Sequence, residues 1–316
     1  MKTALIIGSE GQDGRLLCFW LESLGYDVWG LSREKLKNSN GHVKCVPRVL
    51  DLDAVTSILN HAKPQEVYFL AAYHQSSEAK EIDHLDHWDK SEQINVQLLL
   101  HFLKSIKQFT HSTRLFYASS SHVFGNPTIS PQDENTIQCP INVYGMTKMM
   151  GAQYCQYFRR NYGIFATTGI LYNHESEYRR PEFISKKIVR AAIEIHKGIS
   201  KSLSIGNLDA IVDWGDARDY VKAMHKILNT SEPSDYVIAT GRGIKVSDFL
   251  NLTFSLLNLD WKKYILEDPS QIRFSSAFYI GNPAKINIQL GWSASTPLLE
   301  TIKRMMVAED MEILRY

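Results

Sequence analysis

Four apolar residues, Ala4-Leu5-Ile6-Ile7, run straight into Gly8-Ser9-Glu10-Gly11-Gln12-Asp13-Gly14, where glycine recurs every third position. Without side chains at those points the backbone can turn sharply out of a buried strand. Leu16, Leu17, Trp20, Leu21 and Leu24 then recur at helical spacing, and Gly25 suits the helix C-terminus. Strand, glycine turn and helix in that order open the first-turn N–H groups to an anion. The segment therefore predicts a bound dinucleotide pyrophosphate, with Gly8, Gly11, Gln12, Asp13 and Gly14 in contact. For GxxGxxG alone, the competing reading is a purely structural turn.

The alternation continues. Val28–Leu31, Val43–Val49, Val67–Ala72, Arg114–Ser119 and Ile164–Leu171 read as strands. Helical patterns fall at about 54–61, 91–106 and 144–162. Such order predicts an α/β fold, a Rossmann-type doubly wound parallel sheet, with ligands at the carboxyl ends of the strands. Beyond Leu171 the alternation loosens, with a helix near 185–196, a strand at 236–240 and a helix near 247–257. This divides the chain into a dinucleotide-binding domain, 1–171, and a smaller C-terminal substrate-binding lobe, 172–316, interleaved with the sheet.

Composition narrows the function classes. In 316 residues, 44% hydrophobic and 22% charged, the formal net charge is +1, which argues against nucleic acid or a membrane surface as partner. No run reaches membrane-spanning length without a charge, and the N-terminal apolar run is too short for a signal peptide. Cys18, Cys45, Cys139 and Cys155 form no CxxC pair, so neither a zinc site nor a disulfide framework is expected. A cytoplasmic protein is the reading that follows.

The end of the second strand bears on the cofactor. An acidic residue there would hold the ribose hydroxyls of NAD. The chain has Ser32-Arg33-Glu34-Lys35 instead, and Arg33 suits a 2′-phosphate, favouring NADP with NAD as the alternative. A solvated surface arginine is the plainer reading. Asp51 and Leu52 are candidates for the adenine side. Leu70, Ala71, Ala72 and Tyr73 are candidates for the pyrophosphate side.

Tyr144-Gly145-Met146-Thr147-Lys148 sets a phenol and an ammonium one helical turn apart on one face. A nearby cation is expected to lower the phenol's pKa, so that it can take an alcohol proton while hydride leaves the same carbon. Ser120, in Ala118-Ser119-Ser120-Ser121-His122, is placed to donate to the same oxygen. Against this stands a core-facing tyrosine with a surface lysine.

Together these residues resemble the extended short-chain dehydrogenase/reductases. Along almost its whole length the chain is similar to the GDP-mannose 4,6-dehydratase family. The matching strings include Gly11-Gln12-Asp13-Gly14, Gly169-Ile170-Leu171-Tyr172-Asn173-His174-Glu175-Ser176, Gly206-Asn207-Leu208-Asp209-Ala210 and Asp213-Trp214-Gly215. The resemblance implies C4 oxidation of a GDP-sugar through Tyr144, Lys148 and Ser120, then loss of water across C5–C6 and return of hydride to C6. It implies cofactor contacts from Lys148, His174 and Arg179, and substrate contacts from Ser120, Asn173, Lys187 and Arg273. A homodimer or homotetramer is implied as well. Three positions depart from the family. His122 stands where the dehydratases carry the glutamate that removes the C5 proton, Val212 replaces an arginine, and Ser276 replaces a glutamate.

Histidine can shuttle protons, so His122 joins the catalytic candidates. Two outcomes stay open: a dehydratase, or a C4 dehydrogenase, ketoreductase or epimerase that eliminates no water. A cofactor-binding regulator without catalysis is the reading from another class. Asp83, His84, Asp86, His87 and Asp89 cluster in sequence, but a solvated segment accounts for them and no metal is predicted. Tyr154, Phe158 and Tyr162 make an aromatic stripe that faces either a partner subunit or the chain's own core.

Overall fold

The computed structural model describes residues 1–33, 35–38, 43–45, 50–74, 84–110, 112–268 and 279–314. Its first half runs β1 (Thr3–Ile7), α1 (Gln12–Ser23), β2 (Asp27–Ser32), β3 (Lys35–Asn38), β4 (Val43–Cys45), α2 (Leu52–Ala62) and β5 (Glu66–Phe69). There follow α3 (His84–Glu92), a π turn (Gln93–Gln97), α4 (Leu98–Phe109), β6 (Arg114–Ser120), a 3₁₀ turn (Ser121–Phe124), α5 (Val143–Tyr162) and β7 (Ala166–Leu171). The second half adds β8 (Asn173–Glu175), α6 (Ile184–His196), β9 (Leu203–Ile205), β10 (Ile211–Asp216), α7 (Ala217–Leu228) and β11 (Tyr236–Ile238). It ends with β12 (Gly243–Lys245), α8 (Val246–Ser255), β13 (Ile265–Glu267), α9 (Ala284–Leu290) and α10 (Leu298–Glu309).

One sheet has the order β11-β7-β6-β5-β1-β2-β3-β4. From β11 to β2 every pairing is parallel. Crossovers that leave β1 for β2 on one side and reach β5 on the other open a crevice at the ends of β1 and β5. At the edge, β4 forms within the expected strand Val43–Val49 and runs in the same direction as β2, but β3 is inserted between the two; residues 46–49 lie outside those described. β3 runs antiparallel to β2, and β4 antiparallel to β3, so a tight hairpin follows Ser32. The predicted helix 91–106 is likewise interrupted, because a π turn separates α3 from α4.

Both faces of the sheet are covered, so its strands read as continuous apolar runs. Leu5 and Ile7 of β1, with Leu115 and Tyr117 of β6, pack under α2, α4 and α5. Their neighbours Ala4, Ile6, Phe116 and Ala118 pack on α1 and α7. Leu5 and Ile6 are fully buried, and burial of each is worth about 1.5–3 kcal/mol. A separate apolar cluster joins α6, α8 and α10 with β9 and Trp214 of β10. α7 and β11, from the second half of the chain, pack on or pair with the first sheet.

Among the described residues no helix is long and apolar enough to cross a membrane. Tyr154, Phe158 and Tyr162 belong to the chain's own core, whereas Met150 and Tyr157 of the same helix are exposed. Asp83 and the side chain of His84 lie outside the described residues. Among those described, no group of three or more His, Cys, Asp or Glu is arranged to hold a metal ion.

Candidate active site

The crevice begins at Gly8. Its φ of +92° lies in the left-handed region, and a Cβ there would stand 2.8 Å from the backbone nitrogen of Ala71. At Gly14 a Cβ would reach within 2.3 Å of the Gly8 carbonyl oxygen, so the helix starts against the turn itself. Gly11 is the N-cap of α1, and no side chain caps that end. The first-turn N–H groups therefore face the crevice without a competing acceptor, which fits a pyrophosphate.

Behind the turn, Gln12 and Asp13 are tied to β8. Gln12 Nε2 donates to the His174 carbonyl at 2.9 Å, and Ser176 donates to Gln12 Oε1 at 3.0 Å. His174 Nε2 lies 2.9 Å from Asp13 Oδ2, and its Nδ1 lies 2.6 Å from the Tyr172 carbonyl. Burial opposes charge on both, yet their mutual attraction prevails. Asp13 falls below and His174 rises above the ordinary value. His174, implied by resemblance to touch the cofactor, has both ring nitrogens engaged with protein. Arg179 pairs with the buried Glu175 at 2.9 Å and lies over the Phe183 ring at 3.7 Å.

The other cofactor candidates lie at strand ends along the crevice. Leu70, Ala71, Ala72 and Tyr73 follow β5, and Leu70 N donates to Ile7 O at 2.9 Å. Arg33 is exposed in the turn between β2 and β3, with Lys35 exposed beside it. Asp51 caps α2, accepting from Ala54 N at 2.9 Å, and Leu52 opens that helix. Of the substrate candidates, Asn173 pairs in register with Trp214, and Lys187 is half-buried on α6. Arg273 and Ser276 lie outside the described residues. Val212 of β10 bridges to Tyr279.

Ser120, His122, Tyr144 and Lys148 come together where β6 ends and α5 begins. Asn142 caps α5 by accepting from Gly145 N at 2.8 Å, which sets Tyr144 on the first turn. Lys148, 1% exposed, donates from Nζ to the Ala118 carbonyl at 2.7 Å. Its Nζ stands 5.7 Å from the centre of the Tyr144 ring. The expected lowering of the tyrosine is not what the site produces. Burial pushes the phenol up to about 12, against the pull of a hydrogen bond with Ser120. Burial also pushes the Lys148 ammonium down to about 7, weakening the cation that was to do the lowering.

Around Tyr144 the structure adds residues that local sequence did not mark. The His74 ring meets it edge-on at 4.3 Å and stacks on Phe183 at 5.4 Å. Burial above all, and then the electrostatic influence of His122, Arg179, Arg180 and Lys148, holds His74 well below its ordinary pKa. Among the described residues, His74 Nδ1 has no hydrogen-bond partner. His122 meets Tyr144 edge-on at 5.6 Å and stacks on Tyr279 with 14° between the planes. Burial pushes His122 below its ordinary value too.

Asn95, buried in the π turn, bonds the N–H and carbonyl of Tyr73 at 2.8 and 3.2 Å and Thr147 Oγ1 at 3.0 Å. It locks the end of β5 to the helix of Tyr144. A π turn at such a junction often marks a functional site, but nothing in the local sequence pattern announces one.

The sequence profile of the family GDP-mannose 4,6 dehydratase matches residues 5–305. GDP-mannose 4,6 dehydratase 2 of Arabidopsis thaliana is 34% identical, over 99% of this chain and 87% of that one. The structure of RMD from Pseudomonas aeruginosa complexed with NADPH aligns with a TM-score of 0.84 at 19% identity, covering 99% of this chain and 100% of that one. A dTDP-glucose 4,6-dehydratase from Bacillus anthracis in complex with NAD aligns with a TM-score of 0.79 at 17% identity, covering 100% and 99%. These two show the shared fold. With the profile and the plant relative both spanning nearly the full length, the chain belongs to the GDP-mannose 4,6-dehydratase family of nucleotide-sugar enzymes.

Proposed function

We propose that this enzyme acts on a GDP-mannose-like nucleotide sugar in the manner of the 4,6-dehydratases, starting with oxidation at C4. The observation that carries the reading is the gathering of Ser120 and Tyr144 around the buried Lys148, whose Nζ lies 5.7 Å from the centre of the Tyr144 ring, where β6 ends and α5 begins. For Tyr144 to take the C4 hydroxyl proton, its own phenol must first ionise against the burial that raises its pKa, and Ser120 would orient that oxygen. A nicotinamide dinucleotide, which Gly8, Gly11 and Gly14 would hold, would supply the hydride acceptor for C4 and the hydride for C6. Between those steps C5 loses a proton and C6 loses its hydroxyl, so the balance is one water lost. His122, packed edge-on against Tyr144, would stand beside the part of the sugar where that proton moves.

For the cofactor we favour NADP, because Arg33 and Lys35 offer two cations at the end of β2, where the adenine ribose is expected. Gly8, Gly11 and Gly14 would admit the pyrophosphate. For the assembly we favour a homodimer or homotetramer built on the helices that expose Leu85, Trp88, Phe109, Met150 and Tyr157. Light scattering on the purified protein tests the assembly.

Mass spectrometry of GDP-mannose incubated with protein and NADP tests the activity. Loss of one water supports the dehydratase. A C4 ketone without water loss restricts the activity to the redox step. No turnover of any GDP-sugar or its 4-keto derivative overturns the proposal.

A further inference from the structure

Asn142 does more than cap α5. Its Oδ1 accepts from Gly145 N at 2.8 Å, which decides which end of the amide is which. Its Nδ2 therefore faces His122 Nδ1, 3.3 Å away. An amide NH₂ only donates, so Nδ1 must accept. A neutral imidazole has a single N–H, and that N–H then lies on Nε2. The ring cannot easily swing out of this arrangement. Tyr279 stacks on it, and Tyr144 and His74 press on it edge-on. The Tyr279 hydroxyl donates to the carbonyl of Gly125, which closes the 3₁₀ turn carrying His122. Tyr279's own carbonyl accepts from Asp213 N at 3.2 Å. None of these three rings carries a negative charge that would draw the proton to Nδ1.

We propose that Asn142 is a positioning residue that holds His122 as the Nε2–H tautomer, so that the resting enzyme offers a sugar oxygen a hydrogen-bond donor and withholds a base from C5. This rests on the proposed placement of the sugar beside Tyr144 and His122. The lone pair that could take the C5 proton is on Nδ1 and is spent on Asn142. Proton removal at C5 is then slow unless the tautomer changes.

Asn142→Asp tests this, because aspartate caps a helix as well as asparagine. Its carboxylate accepts from Nδ1–H, moving the free lone pair to Nε2. Nitrogen-15 spectra of histidine-labelled protein without sugar, with His122→Gln for assignment, read the tautomer directly. The expected result is a proton on Nε2 in the native protein and on Nδ1 in Asn142→Asp. A native spectrum with Nδ1–H, or the same tautomer in both proteins, overturns the proposal. Should Asn142→Asp fold poorly, the native spectrum decides alone. Asn142→Ser, which keeps a cap with a hydroxyl able to donate or accept, is then expected to show both tautomers.

Deuterium uptake from solvent at C5 of a 4-keto GDP-sugar supplies the chemical readout. The base takes the C5 proton, the C5–H electrons shift into an enolate with the C4 carbonyl, and a deuteron returns to C5. Uptake is expected to rise roughly 10²-fold in Asn142→Asp, the lower end of what a positioned base supplies. If the tautomers switch as expected but neither protein exchanges C5, the sugar placement fails and the tautomer assignment stands.

Discussion

Asp13 Oδ2 and His174 Nε2 stand 2.9 Å apart, joining the glycine turn to β8. Asp13 is held below its ordinary value, so its contribution is present above about pH 4 and is lost as pH falls through its folded value. His174 is held above its ordinary value, so its contribution is complete below about pH 6.5 and is lost as pH rises through its folded value. Pair stability is thus greatest between those limits and declines on the alkaline side. Urea unfolding of His174→Ala at pH 6 is expected to show a loss of about 3 kcal/mol, the lower end for a broken buried pair, since Asp13 is 19% exposed. The difference from native protein should shrink at pH 9.

Removing the phenol while keeping its ring isolates the proton transfer. Tyr144→Phe should lower kcat roughly 10²–10⁴-fold. The edge contact of His74 with the ring survives in this variant, so Tm and cofactor affinity should stay close to native. Unchanged turnover in steady-state assays would remove Tyr144 from the chemistry.

A methyl group on Gly14 would sit 2.3 Å from a backbone oxygen and 2.7 Å from the Ser9 Cα, neither of which is a flexible side-chain end. Gly14→Ala should cost about 1–3 kcal/mol from overpacking. The turn should also be pushed off the pyrophosphate, weakening NADPH binding at least roughly tenfold, or about 1.4 kcal/mol. Fluorescence titration with NADPH reads the second effect and thermal unfolding the first.

Truncation of Asn95 would strand the N–H and carbonyl of Tyr73 together with the Thr147 hydroxyl. Leaving buried polar groups unpaired costs about 1–3 kcal/mol, so Asn95→Ala should unfold at lower urea. Because Thr147 neighbours Lys148, kcat should fall more than KM rises, which a full rate profile would resolve.

Arg33, exposed at the end of β2, is far from the reacting groups in sequence and should affect only the choice of cofactor. Arg33→Ala is expected to raise KM for NADPH by roughly tenfold, as loss of a charge-assisted contact would, and to leave KM for NADH unchanged. Equal effects on both would favour a surface role.

Local sequence carried far where a short stretch has one low-energy solution. The apolar run before Gly8 could only be a buried strand, and its three-residue glycine spacing could only admit a close backbone. Tyr144 and Lys148 share a face because a helix repeats every 3.6 residues. The alternating sides of β1 and β6 follow from the period of a strand. Other features depend on residues distant in the chain. β3, Lys35–Asn38, is inserted between β2 and β4 with no apolar run in the sequence to announce it. His74 and Tyr279 reach Tyr144 or His122, and Asn95 reaches Thr147, from separate elements, with no shared periodicity to reveal them. The pKa of Tyr144 went the opposite way to the sequence expectation because burial depends on everything packed around a group, whereas spacing counts only the neighbour one turn away. The sequence by itself determined the sheet, the turn and the Tyr–Lys pair, since these rest on local geometry. Only the tertiary structure decided the burial of that pair and the partners that surround His122, since desolvation and side-chain contacts are set by residues brought together across the fold.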